Sequence, residues 1–304
     1  MKKKIFLVLF VALAGTSVSL AEGTLIGELY YNLNTSKKTA TVTYQSMDEN
    51  YPDLTSVNIP PTVTYNGDTY NVTAVGQNAF MDCLNITSVT LPDGITDIAR
   101  FAFRMCSFTS LTIPKGLKTM DYDAFFGCDK ITSMTWNAVN CDDFEYASPW
   151  EYAGVGYSAT APIASVVFGE EVKRIPAYLF ARVEALKIVT IPNSVTSIGE
   201  SAFSDCVNLN AIYNYGVTPA NAYSDAFDGV NKSTCKLYVP KNSINQYKSA
   251  PVWKDFYAIS AIEDVQAIED AEADNVRNVK IIIDGKVYIN RGDKVFTLQG
   301  QEVK

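Results

Sequence analysis

The chain has 304 residues, 47% of them hydrophobic, a formal charge of −8, six cysteines and no histidine. That length allows one or two domains. Without histidine there is no Ser-His-Asp or Cys-His nucleophile system and no histidine metal ligand, and the acidic balance excludes nucleic acid and anionic lipid as natural partners.

Met1-Lys2-Lys3-Lys4, the apolar run Ile5 to Ala14 and the small-residue site Ser19-Leu20-Ala21 read as a secretory signal peptide over 1–21. Its removal takes three lysines and leaves a formal charge of −11. No later apolar run approaches ~20 residues, so no membrane insertion is expected after cleavage. Residues 22–55 read as an N-terminal β-hairpin cap: GELYYNLN and TATVTYQS alternate apolar and polar residues around Thr35–Lys38. Such a cap covers the open end of a repeat stack. A first strand, Ser56 to Ile59, stops at Pro60, which cannot donate to a ladder. The hairpin TVTY-NG-DTYNV follows, with Asn66-Gly67 as its type I′ turn; it is expected as a lateral ornament on the first coil.

Then a repeat runs. Phe80, Phe103, Phe125, Phe180, Phe203 and Phe227 are spaced 23, 22, 55, 23 and 24 residues apart. Val75, Ile98, Met120, Ile175, Ile198 and Ala222 stand five residues before them. Strand cores recur at Val57/Ile59, Val89/Leu91, Leu111/Ile113, Met134/Trp136, Val166/Phe168, Val189/Ile191, Ile212/Asn214 and Leu237/Val239. A period near 23 falls in the leucine-rich-repeat range, and one coil cannot bury its own edge without stacked neighbours. Residues 56–258 are therefore expected to form an α/β-type repeat solenoid, mostly β. Its right-handed coils would lay eight strands into a parallel sheet about 35 Å long. The interval of 55 hides one enlarged coil of 32 residues, bounded by strand starts at Ser133 and Ser165.

Cys83, Cys106, Cys128 and Cys206 each follow a repeat phenylalanine by three residues, where two other coils carry Val183 and Val230. A place that accepts valine suits a buried thiol. Stacked coils also bring such cysteines within bridging distance, so disulfides stay the alternative. Beyond Val239-Pro240, Ile244, Tyr247, Trp253 and Phe256 are available to close the far end. Residues 259–274 read as an acidic linker, with six acids and no base from Glu263 to Asp274. Residues 275–304 read as a small β tail with turns at Asp284-Gly285 and Arg291-Gly292-Asp293. The last tripeptide spells an integrin-binding motif, but glycine and aspartate are common turn residues and it is read as a turn.

The pattern A-F-x-x-C-x-x-I/L-x-x-V/L-x-I/L-P-x-x-V-x-x-I resembles the BspA-like class of leucine-rich repeats. It is carried by Ala79-Phe80-Met81-Asp82-Cys83 and by Val189-Thr190-Ile191-Pro192-Asn193-Ser194-Val195, among others. The resemblance covers about Ser56 to Phe256. It implies a secreted or outer cell-surface protein of anaerobic bacteria that adheres to host or bacterial macromolecules without catalysis. The last twenty residues resemble the short tails of exported proteins of such bacteria, some of which direct secretion, so a sorting module is a further implication.

No catalytic, cofactor-binding or metal-binding residue is assigned. Asp142, Asp143 and Glu145 are read as a solvated loop. On the sheet, Asn58, Thr90, Thr112, Thr135, Val167, Thr190, Tyr213 and Tyr238 alternate outward, while Trp136 alternates into the core. The candidate partner-binding residues are Tyr213 and Tyr238 on that face, with Trp150 and Tyr152 of the enlarged coil if they are exposed, because aromatic anchors on loops of a rigid scaffold suit recognition. The partner is expected to be an extracellular protein, with a glycan as second choice; a third reading, that the chain is itself an enzyme, would require two or more carboxylates converging in a pocket. The chain itself is expected to be a monomer.

Overall fold

The structure, a computed structural model, describes residues 23–44, 51, 53–154 and 161–262, together with the backbone of the strands between 278 and 303. The signal peptide, residues 263–274 of the acidic linker, and the tail's turn residues Asp284, Gly285, Gly292 and Asp293 lie outside the described residues.

The repeat phenylalanines build one inner column. Phe80 stacks on Phe103 at 5.3 Å, Phe103 on Phe125 at 5.2 Å, Phe180 on Phe203 at 5.8 Å and Phe203 on Phe227 at 5.3 Å, with ring planes within 11° of each other. These distances are close to one strand spacing. An alanine precedes five of the six: Ala79, Ala102, Ala124, Ala202 and Ala226 are fully buried, and a larger side chain would push successive coils apart. Backbone bonds reinforce the column, as when Phe80 N donates to Ala102 O at 2.8 Å and Phe203 N to Ala226 O at 2.8 Å.

Each coil also gives a strand to a parallel sheet. Seven strands pair in the order Ser110–Ile113, Ser133–Trp136, Ser165–Phe168, Ile188–Ile191, Ala211–Asn214, Lys236–Val239 and Ala258–Ala261. Ser56–Asn58 and Ser88–Thr90 form a separate parallel pair. The eight expected strands are all present. The strand Ala258–Ala261 is an addition: it pairs in register with Lys236–Val239 and carries the sheet past residue 258, into the stretch read as linker. Its sequence, AISA, has only one strong β-former, so pairing with its neighbour decides its conformation.

The residues five before each phenylalanine make a second set of short parallel strands. Val75, Ile98 and Met120 sit on adjacent rungs, as do Ile175, Ile198 and Ala222. The hairpin at Asn66-Gly67 forms with both residues at positive φ, +50° and +86°, as its turn type requires. It is not a lateral ornament. Asp68–Val75 pairs parallel with Thr39–Thr43 of the cap on one side and with Asp97–Ile98 of the repeats on the other. Tyr70, Val72 and Val75 are buried, so this strand is the bridge through which the cap joins the solenoid core. The cap adds Thr24–Ile26, antiparallel to Leu29–Asn34, which is in turn antiparallel to Thr39–Thr43. Tyr51 closes the aromatic column from that end, 5.1 Å from Phe80, and its hydroxyl donates to Thr43 O at 2.5 Å.

At the other end Trp253 sits 5.5 Å from Phe227, its indole donating to Ala220 O at 2.7 Å, while the Tyr247 hydroxyl donates to Gly216 O at 2.9 Å. The tail strands Asn278–Ile283, Lys286–Arg291, Lys294–Thr297 and Glu302–Val303 form an antiparallel sheet of their own.

Candidate functional site

The enlarged coil is held down by backbone and by one carboxylate. Val139 N donates to Lys115 O and Asp142 N to Lys118 O, so residues 139–142 lie beside the preceding coil. Asp143 accepts from Ala177 N at 2.6 Å and is ion-paired with Arg174, whose guanidinium also donates to Cys141 O at 3.1 Å. Asp143 thus fills the gap left where Thr119–Met120 and Arg174–Ile175 do not pair. It is a structural clasp on a loop that is solvated as expected, with Asp142, Asp143 and Glu145 all exposed. Among the described residues, no group of three or more Cys, Asp or Glu is placed to hold a metal ion.

Trp150 is fully buried, which removes it from the partner-binding candidates. Its ring sits 5.4 Å from Phe125 and 6.4 Å from Phe180, in the place of the phenylalanine that this coil lacks. A coil without that ring would leave a void in the column, and the indole fills it. Tyr152, two residues on, is 37% exposed, and its ring lies 6.3 Å from Phe126 on the outside of the same corner.

On the sheet face the register lines up Thr112, Thr135, Val167, Thr190, Tyr213, Tyr238 and Ser260 across adjacent strands. Thr90 and Thr112 are exposed and Thr135 is half-buried. Val167 and Thr190, read as outward positions, are only 4% and 6% exposed. They lie in a narrow depression walled by Glu170, Asn193, Tyr215 and Val217, and a small side chain between large ones is shielded by them. Tyr213 and Tyr238 are half-buried and stack at 4.7 Å with planes 9° apart. One face of each ring is thereby covered by the other.

The open part of the sheet face is a groove of about 560 Å³ lined by Val89, Leu91, Thr112 and Thr135, with Asp93, Lys115, Glu170 and Glu171 along its rim. Lys115 Nζ meets Glu171 at 2.5 Å, and Lys115 N donates to Asp93 Oδ1 at 3.2 Å. The groove sits where the ladder is broken. Ser88–Thr90 pairs with Ser56–Asn58 but not with Ser110–Ile113, which ends its own sheet. The coil that starts at Phe103 is one residue shorter than its predecessor between cysteine and strand: Ile86 follows Cys83 by three, Phe108 follows Cys106 by two. The two strands therefore separate after the bond from Ser107 N to Ile86 O, at 2.9 Å. Val89 and Leu91 are left half-buried, whereas their equivalents in the next coil, Leu111 and Ile113, are buried. This groove was not read from the sequence; the spacing of 22 between Phe103 and Phe125 is the signal that marks it.

The six cysteines are buried free thiols. Cys106, Cys128 and Cys206 donate to the carbonyl of the preceding coil's phenylalanine at 3.4, 2.9 and 3.1 Å. Burial pushes Cys128, Cys141, Cys206 and Cys235 up to about 12 and Cys106 well above its ordinary range. A nucleophilic cysteine needs its thiolate, so these thiols are packing groups. Among the described residues, no helix is long and apolar enough to cross a membrane.

The model of the BspA type leucine rich repeat region matches in six copies over residues 73–148 and 156–270. Among solved structures, a leucine rich repeat protein of T. pallidum is 20% identical with a TM-score of 0.46, over 66% of this chain and 86% of that one. A leucine rich cell surface protein of Faecalibacterium prausnitzii is 15% identical with a TM-score of 0.26, over 81% and 96%. The pneumococcal vaccine antigen PcpA is 15% identical with a TM-score of 0.28, over 73% and 82%. No curated protein matches. The repeats, their register and the family model agree: the chain belongs to the BspA type leucine rich repeat family.

Proposed function

We propose that this is a non-catalytic interaction protein, secreted or held at the outer cell surface, that adheres to a protein partner through the open face of its parallel sheet. The observation that carries this reading is the groove on a sheet fixed from behind by a continuous aromatic column. Rigid repeat scaffolds present such surfaces at little ordering cost on binding. The chemistry beside it points the same way, since a chain without histidine and with its thiols buried lacks the usual nucleophiles. A protein is favoured over a glycan because Tyr213 and Tyr238 are half-buried and spend one face of each ring on the other, which leaves less ring surface for sugar stacking. The mature protein on a combined glycan and extracellular-matrix protein array tests this. Binding to one or more proteins is expected. Strong glycan signal with no protein signal would overturn the reading.

A further inference from the structure

We propose that the corner of the solenoid next to the enlarged coil carries a second binding site, one that takes a single neutral sugar ring of a glycan. It shares no residue with the groove or the sheet face, and so goes beyond the protein-binding reading above. The site begins with a change of size at one repeat position. Arg104 and Phe126 directly follow the column residues Phe103 and Phe125, and they fill their part of the corner by packing with Phe101. The Phe101 and Phe126 rings lie 5.7 Å apart, and the Arg104 guanidinium is 5.7 Å from the first and 5.9 Å from the second. Ala181 and Ser204 stand in the same place after Phe180 and Phe203. Their small side chains leave a hollow of about 260 Å³, flanked by Tyr146 and Tyr178. That is below the usual size of a pocket for a whole drug-sized ligand. It suits one ring, with the rest of its molecule outside.

Tyr146 is 86% exposed, so its ring is open on both faces, unlike Tyr213 and Tyr238. Its backbone is left-handed, with φ at +68°, a conformation that is costly for a bulky residue. Core packing and backbone preference both argue against a tyrosine here; an aromatic face for the C–H surface of a sugar accounts for it. The polar groups beside it suit hydroxyls. Among the described residues the Asp205 carboxylate has neither a hydrogen-bond donor nor an ion-pair partner. It lies over the turn of the next coil at Gly229, where a Cβ would stand 2.3 Å from Asp205 Oδ1. Arg182 gives one N–H to Glu151 Oε1, at 3.4 Å, and keeps others to donate. A charged acceptor and a charged donor on one rim can hold adjacent sugar hydroxyls, each of which both donates and accepts.

The same rim selects the sugar. Glu151, Asp205, Asp225 and Asp228 surround the hollow, against Arg182 and against Lys232 at 3.9 Å from Asp228. The balance stays negative, so sialic and uronic acids are repelled where neutral hexoses are not.

The test places the full mature chain on an array of glycans ending in neutral hexoses or in sialic or glucuronic acid. Binding to at least one neutral-ended glycan is expected, and it should fall roughly ten-fold or more when an acidic sugar replaces the terminal one. The methyl glycoside of the bound hexose should compete, since the hollow holds one ring. Tyr146→Ala and Asp205→Asn should each weaken binding roughly ten-fold, while Tyr146→Phe should retain it. Both side chains are exposed, so melts followed by circular dichroism should match those of the parent and separate a lost contact from a lost fold. No neutral-ended glycan bound, equal or tighter binding of acid-ended ones, or unchanged binding by Tyr146→Ala would each overturn the proposal. Its fate is separable from that of the protein-binding reading: protein signal alone sinks only this site, and glycan signal alone sinks only that reading.

Discussion

At the scale of single residues, Trp150 shows how position overrides type. An aromatic in a long insertion reads as a surface anchor, yet this one replaces a missing column residue. Trp150→Ala should therefore lower the unfolding free energy by about 3–5 kcal/mol, as for other buried aromatics, while Tyr152→Ala should change it by less than about 1 kcal/mol. Urea denaturation followed by circular dichroism distinguishes the two, and near-equal losses would contradict the placement. The thiols make a second residue-scale case. Their neutral form is stabilised by burial, so the folded protein resists ionisation that the unfolded chain undergoes near pH 9. That contribution is complete below pH 9 and is lost as pH rises from about 9 to about 12, the unfolded state shedding its protons first. Unfolding free energy measured at intervals across that range should fall by up to about 1.4 kcal/mol per pH unit for each thiol. Replacing Cys128 and Cys206 by valine should flatten the slope; an unchanged slope would assign it to other groups.

At the scale of elements, what was legible in the sequence was what recurs. Eight strands, the phenylalanine column and the type I′ turn follow from spacing and side-chain alternation, because every coil repeats the same packing problem. The parts that escaped are those fixed by one neighbour. Ala258–Ala261 becomes a strand only because Lys236–Val239 offers it an edge, and Asp68–Val75 becomes a bridge only because a cap strand lies alongside. For the candidate site, the tyrosine pair was found by alternation, but the groove depends on one missing residue and on which coils lose contact as a result. That cause can be tested directly. Inserting one asparagine after Ser107, with Phe108→Ile to restore the usual volume, should re-form pairing between the strands that start at Ser88 and Ser110. Hydrogen exchange should then slow at Ser110–Ile113 amides. Unaltered exchange would mean that the shortened coil is not what parts the strands.

At the scale of the whole molecule, stability is spread along the stack, since each coil contacts mainly its neighbours. Deleting residues 192–214, one full period from the end of one strand to the end of the next, should leave a folded, shorter solenoid, because Tyr215 then follows Ile191 as it followed Asn214. A cooperative melt, with strand content reduced in proportion, is expected by circular dichroism. A chain without a cooperative transition would show that the ends are coupled through more than adjacent coils. Function at this scale belongs to the surface that all the coils hold in place, which is why the groove, and no single side chain, carries the binding proposal.

Both sheets are interrupted once among the described residues, and at different heights: the long one between Ser88–Thr90 and Ser110–Ile113, the short one between Thr119–Met120 and Arg174–Ile175. Opposite each interruption the other sheet runs through, with Asp97–Ile98 joined to Thr119–Met120 and Ser133–Trp136 joined to both its neighbours. The joints are staggered like those in a brick wall. A crack starting at either seam meets unbroken courses on the far side, so a pull along the stack finds no plane among the described residues at which both sheets part together.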